Sequence, residues 1–220
     1  MTDSDALRAA AETMRAVRER CVWAQQITHR DLVPYLIEES HEVIDAVETG
    51  DRAELREELG DLLWQVLFHA AIAAQDPDDP FDIDDVAETL TEKMVRRHPH
   101  VFGDEVANTP EEVLVHWNAA KAAEKRTRTS VLDGVPRGMP ALALAQKVLG
   151  RAARVGAGAD VALAAHDAAE IGAAPESEEE LGDLLLTLTA TARANGWDAE
   201  RALRERLRTL EDEVRAAEAG

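Results

Sequence analysis

The chain has a single cysteine, Cys21. That excludes an intramolecular disulfide and any zinc site built from several thiolates. Aromatic residues are scarce, at 4%, and β-branched runs are short, so little of the sequence favours strands. The expected fold class is all-α. No apolar run is long enough to span a bilayer, and Met1 to Arg20 is polar and charged, without the apolar centre of a signal peptide. The expectation is a cytoplasmic protein with no membrane partner. Bases are also in short supply, 24 against 44 acids, for a formal charge of -20. A surface of that sign repels nucleic acids and anionic lipids, so no nucleic-acid partner is expected. A polyphosphate could approach only through a metal ion or a local basic patch. No Gly-x-x-x-x-Gly-Lys-Ser/Thr loop is present, which argues against a P-loop route to phosphate.

What is present is helix-forming material, with alanine and leucine abundant and 45% of the chain hydrophobic, enough for a buried core. A first helix is expected from Asp5 to Arg20, followed by an irregular segment from Cys21 to His29. Asp31 is a candidate N-cap for a second helix, with Pro34 in its first turn and an apolar stripe at Leu36, Val43, Ile44 and Val47. Thr49-Gly50-Asp51 ends it. A third runs from about Ala53 to Ala74, with Leu55, Leu59, Leu62, Leu63, Val66 and Leu67 as a wide core face. A fourth spans Ile83 to His98-Pro99, and a fifth roughly Glu111 to Lys125. The stretch Arg126 to Pro140, rich in proline and glycine, marks a boundary. The expected division is residues 1–130 as one module and 131–220 as linker and second module.

The sequence repeats itself once. Glu57-Glu58-Leu59-Gly60-Asp61-Leu62-Leu63 recurs letter for letter at Glu179-Glu180-Leu181-Gly182-Asp183-Leu184-Leu185, which argues for two copies of one helical module. Upstream of the second copy, Val161 to Ile171 has nothing like the acidic run from Glu38 to Asp45. The second copy is therefore read as degenerate.

At about 100° per residue, Glu39 and Glu42 lie along the edge of the apolar stripe of the second helix, with Glu38 and Asp45 further round. On the third helix Glu58 and Asp61 flank the stripe of Leu55, Leu59, Leu62 and Val66. If the two apolar faces pack, four carboxylates meet along one seam. Like charges a turn apart cost a helix about 0.2–0.5 kcal/mol per pair, and a divalent cation would offset that cost. Ligands that are all oxygen suit a hard ion, Mg²⁺ or Mn²⁺.

These residues resemble the MazG family of nucleoside triphosphate pyrophosphohydrolases. The resemblance is carried by Tyr35-Leu36-Ile37-Glu38-Glu39-Ser40-His41-Glu42-Val43, by Glu58-Leu59-Gly60-Asp61-Leu62-Leu63 and by Arg96-Arg97-His98-Pro99-His100-Val101-Phe102. Trp117 with Lys121, and Leu132-Asp133-Gly134-Val135-Pro136, extend it. It implies helices that dimerise into a four-helix catalytic bundle, and cleavage of nucleoside triphosphates between the α and β phosphates. It implies metal ligands at Glu39, Glu42, Glu58 and Asp61, with Glu38 as a further ligand or as the general base that orients water. The sequence departs from the family pattern at Val22 and Ala24 in the Cys21-Val22-Trp23-Ala24 segment, at Ile27, and at Ala157-Gly158-Ala159.

Cations are expected to hold the outer phosphates. Lys93, Arg96 and Arg97 form the nearest concentration at a helix end, although bases favour helix C-termini through the dipole in any case. Lys121 and Lys125 follow Trp117, which could stack on a base, as could Trp23. His98 and His100 are expected to order their loop. Exposed apolar helix faces lead to an expected homodimer. A silent metal- or nucleotide-binding helical module is the competing reading, and release of diphosphate separates the two.

Overall fold

The computed structural model describes residues 3–124, 130–136, 138–155 and 175–218, and among them every regular element is a helix. The chain divides into two compact units, Met1–Glu124 and Lys125–Gly220.

In the first unit α1 spans Asp3–Arg20, α2 Val33–Thr49, α3 Arg52–Ala73, α4 Ile83–Arg97, α5 Pro99–Phe102 and α6 Pro110–Ala123. The core is small and lies where α1 and the 21–32 segment meet α3. Met14, Ala24, Leu32, Leu67 and Phe68 form its buried cluster, with Val17, Ile27, Leu63 and Trp64 packed around it. Fully burying a side chain such as Met14, Leu32 or Phe68 contributes about 1.5–3 kcal/mol. Arg18 is buried among them, and its guanidinium is satisfied by Gln75 Oε1 at 3.0 Å, by the Ile27 carbonyl at 2.9 Å and by the Ala24 carbonyl. One arginine thus ties the irregular segment to α1 and to the end of α3.

Most expected helix limits agree to within a few residues, but the start of α2 differs. Leu32, not Asp31, is the N-cap, and no side chain caps it. The Asp31 carboxylate turns back to accept from the Thr28 N–H at 3.0 Å and the Thr28 hydroxyl at 2.6 Å, bonds that hold its pKa below the ordinary value. The helical turn α5 was not expected. Pro99 ends α4 and, at N1, starts this short turn directly. The wide apolar stripe of α3 is only partly buried within the unit. Leu67 is covered, whereas Leu59 and Val66 are 50% and 40% exposed.

In the second unit α7 spans Ala141–Ala152, and the helices Glu178–Ala194 and Ala199–Glu218 are named α8 and α9. α8 and α9 both pack on α7. The Gln146 side chain staples the turn between them, donating to the Trp197 carbonyl at 2.8 Å and accepting from the Ala199 N–H at 3.2 Å. Arg151 holds the Leu132-Asp133-Gly134 turn by donating to the Val131 carbonyl at 2.6 Å. No described helix is long and apolar enough to cross a membrane. The segment Val161 to Ile171 and Ala157-Gly158-Ala159 lie outside the described residues.

Candidate metal centre

Only Gly50 and Asp51 separate α2 from α3. Gly50 takes φ +80°, a conformation strained for any side chain, and its N–H closes on the Ala46 carbonyl. Asp51 then caps α3 by accepting from the Ala53 and Glu54 N–H groups. So tight a connection makes the helices antiparallel neighbours. Positions equidistant from Gly50 come opposite one another, and the acids obey this symmetry. Glu42 and Glu58 stand eight residues either side of it, Glu39 and Asp61 eleven.

The outcome is a carboxylate cluster. One oxygen from each of Glu39, Glu58 and Asp61 lies within 4.8 Å of the others. Glu42 lies close enough to both Glu39 and Glu58 to push their pKa values up. Burial, Glu42 and the charges of Asp61 and Glu38 push the Glu39 pKa above its ordinary value. Burial first, then the charges of Glu42 and Asp61, push Glu58 the same way. Two oxygens on one Mg²⁺ are at most about 4.2 Å apart, because each bond is about 2.1 Å. The three acids therefore need to close by only about half an ångström to share an ion of that size. The donor set is all oxygen, which fits Mg²⁺ or Mn²⁺. Glu38 is exposed and reaches this group through its charge on Glu39.

Two of the expected cations meet at a single acid. Arg96 and Arg97 both grip Glu124, at 2.9 Å from Arg96 Nη2 to Oε1 and 2.5 Å from Arg97 Nη2 to Oε2. The hydrogen bond from Arg97 is the largest of several causes that hold Glu124 down to about 2. Arg97 also lies 4.9 Å over the Trp117 ring, while His98 meets the same ring edge-on at 5.2 Å. Lys93 on α4 and Lys121 on α6 are half-buried. Lys125 lies outside the described residues. Trp23 is 53% exposed and packs edge-on to Tyr35 and Phe68, with ring centroids 6.3 and 6.2 Å away. His98 and His100 lie near each other, and the Nδ1 of His98 meets the Met94 carbonyl at 2.7 Å. That bond ties the loop after α4 back to its own helix.

Sequence reasoning missed Glu124, Gln65 and His69. Gln65 Nε2 donates to Glu39 Oε1 at 3.5 Å, and His69 stacks on His29 with 2.8 Å between their Nδ1 atoms. The helical spacing of Glu58, Asp61, Gln65 and His69, three then four then four, was the available signal.

An antiparallel helix pair that gathers carboxylates from both members defines an all-α protein with a candidate metal centre. A family model described as the MazG nucleotide pyrophosphohydrolase domain matches residues 27–102. An uncharacterized 26.1 kDa protein in the blaB 3' region of Streptomyces cacaoi is 50% identical over 208 residues, 94% of this chain and 80% of the relative. A nucleoside triphosphate pyrophosphohydrolase of Mycolicibacterium smegmatis is 44% identical over 186 residues, 84% of this chain but only 57% of that protein. One from Escherichia coli K12 is 36% identical over 233 residues, 99% of this chain and 88% of the relative. The chain belongs to the MazG family.

Proposed function

We propose that this protein hydrolyses ribo- and deoxyribonucleoside triphosphates between the α and β phosphates, releasing a monophosphate and diphosphate. In this reading Mg²⁺, or Mn²⁺ in its place, is held by Glu39, Glu42, Glu58 and Asp61. The observation that carries it is the convergence of acids from two helices, at the cost of raised Glu39 and Glu58 pKa values, in a chain of this family. Relatives named nucleoside triphosphate pyrophosphohydrolases support the substrate class.

When bound, the ion neutralises phosphate oxygens and lowers the pKa of a bound water. The chain's own residues do the rest. Water oxygen bonds to the α phosphorus, the bond to the bridging oxygen breaks, and diphosphate leaves with that oxygen. Glu38, exposed beside Glu39, is the proposed acceptor of the water's proton. Lys93 makes no ion pair among the described residues and is the first candidate for the outer phosphates. Arg96 and Arg97 join it by exchanging Glu124 for phosphate, and Lys121 and Lys125 are further proposed phosphate contacts. Trp117, already beneath Arg97, is the proposed platform for the base.

The apolar residues left open on α2 and α3, Leu36, Val47, Leu59 and Val66, support self-association as a homodimer. The proposed module limits are 1–130 for the catalytic part and 131–220 for the degenerate copy. A nucleotide-pool role places the protein in the cytoplasm. The test is incubation with each triphosphate and Mg²⁺, followed by quantification of products. Equal amounts of monophosphate and diphosphate are expected, and their loss in Glu58→Gln. A protein that binds nucleotide and metal but releases no diphosphate overturns the proposal, as does release of orthophosphate and a nucleoside diphosphate.

A further inference from the structure

Directly along α3 from the acids sits a polar group for which the hydrolysis has no stated use. Gln65, one turn beyond Asp61, is only 5% exposed. Its Nε2 reaches across the helix pair to Glu39 Oε1 at 3.5 Å. Among the described residues its Oε1 is buried with no partner, and so is the Nε2 of His69 one turn further on. The other ring nitrogen of His69 meets His29, and burial with the charge of His29 holds the His69 pKa below the ordinary imidazole value.

A buried amide with an open acceptor costs stability that an apolar side chain of the same size would not. α3 keeps this one where its donor touches a carboxylate of the cluster. The repeat supplies an internal comparison. In α8 the positions corresponding to Gln65 and His69 are Thr187 and Thr191. There the Thr191 hydroxyl donates to the Thr187 carbonyl inside the helix, at 2.9 Å. The second copy carries neither the amide nor the imidazole.

We propose that Gln65 is a positioning residue for Glu39. Its amide N–H holds one carboxylate oxygen and leaves the other turned to the cation. A donor on a ligating carboxylate fixes its orientation, and loss of such a partner typically weakens metal affinity about 10- to 100-fold. The inference rests on the reading of Glu39 as a metal ligand.

The test is Mn²⁺ titration of the full chain without nucleotide, followed by electron paramagnetic resonance, alongside thermal unfolding of the metal-free protein. Gln65→Met, which keeps length and removes the amide, should weaken Mn²⁺ binding by about 10- to 100-fold while metal-free stability holds or rises. Gln65→Glu, which keeps shape but offers no amide donor, should weaken it too and serves if the methionine variant does not fold. Unchanged Mn²⁺ affinity in either folded variant overturns the inference. So does a loss of affinity matched by a fall in metal-free stability, the mark of a merely structural role. Glu39→Gln separates the two levels. If it binds Mn²⁺ as the parent does, the metal reading fails and this inference with it. If it loses Mn²⁺ and Gln65→Met does not, only the positioning role fails.

Discussion

α3 and α8 contain the same seven residues and use them differently. α3 begins at Arg52 behind its Asp51 cap, so Glu58 stands in the second turn and joins the acids of α2. α8 begins at Glu178 behind Ser177, which places the equivalent Glu180 in the first turn. There its carboxylate accepts the Glu176 N–H at 2.7 Å, while the Ser177 hydroxyl accepts the Glu180 N–H at 3.2 Å. What is a site acid in one helix is a capping group in the other. The α7 partner also differs from α2 in containing no Asp or Glu. A helix start displaced by a turn is enough to turn one heptapeptide from part of a candidate cation-binding face into an ordinary helix terminus.

The comparison is broken most directly at the paired glutamates. Glu58→Gln should lower diphosphate release by more than about 100-fold, beyond the loss typical of residues that only support a ligand. Glu180→Gln should leave the rate unchanged. Equal effects from the two would mean that α8 shares the chemistry.

Metal should stabilise the first unit through the same acids. Mg²⁺ at 100 times its dissociation constant contributes about 2.7 kcal/mol, read as a rise in Tm that Glu58→Gln abolishes. The sign with pH follows from the raised pKa values of Glu39 and Glu58. Their native carboxyls bind protons more readily than the unfolded ones. Lowering the pH from neutral through those raised values, down to the ordinary glutamate range, therefore stabilises the metal-free protein through these groups. The Mg²⁺-induced rise in Tm should shrink over the same range.

The caps sharpen the contrast at smaller scale. Ser177→Ala and Asp51→Ala should each cost about 1 kcal/mol of stability in denaturant titrations. Only the second, which sits at the hinge between α2 and α3, should also weaken Mn²⁺ binding. The smallest effect belongs to Glu124, held down to about 2. A depressed carboxylate contributes stability above its unfolded pKa and loses it as pH falls towards the folded value. Glu124→Gln should therefore lower Tm at neutral pH and flatten the Tm curve between about 4.5 and 2.

The apolar stripes and the acids beside them were legible in the sequence because helical period alone puts Leu55, Leu59 and Leu62 on one side and Glu58 and Asp61 at its edge. Gly50 and Asp51 were legible as a stop, but not as a centre of symmetry. The distance of each acid from Gly50 would have paired Glu42 with Glu58 and Glu39 with Asp61 before any coordinates. Asp31 was misjudged because a short acidic side chain can cap a helix or close a turn, and Thr28 offers two donors against which the helix start could not compete.

Composition and periodicity by themselves determined an all-helical fold class, most helix limits and the presence of four acids on two helix edges, because these depend on interactions within a turn or two. Tertiary structure alone decided that Glu124 occupies the arginines, that Gln65 reaches Glu39, and that Leu59 and Val66 stay open. Each of those facts is a meeting between groups distant in the chain or a burial left incomplete, and no local pattern encodes which surfaces come together.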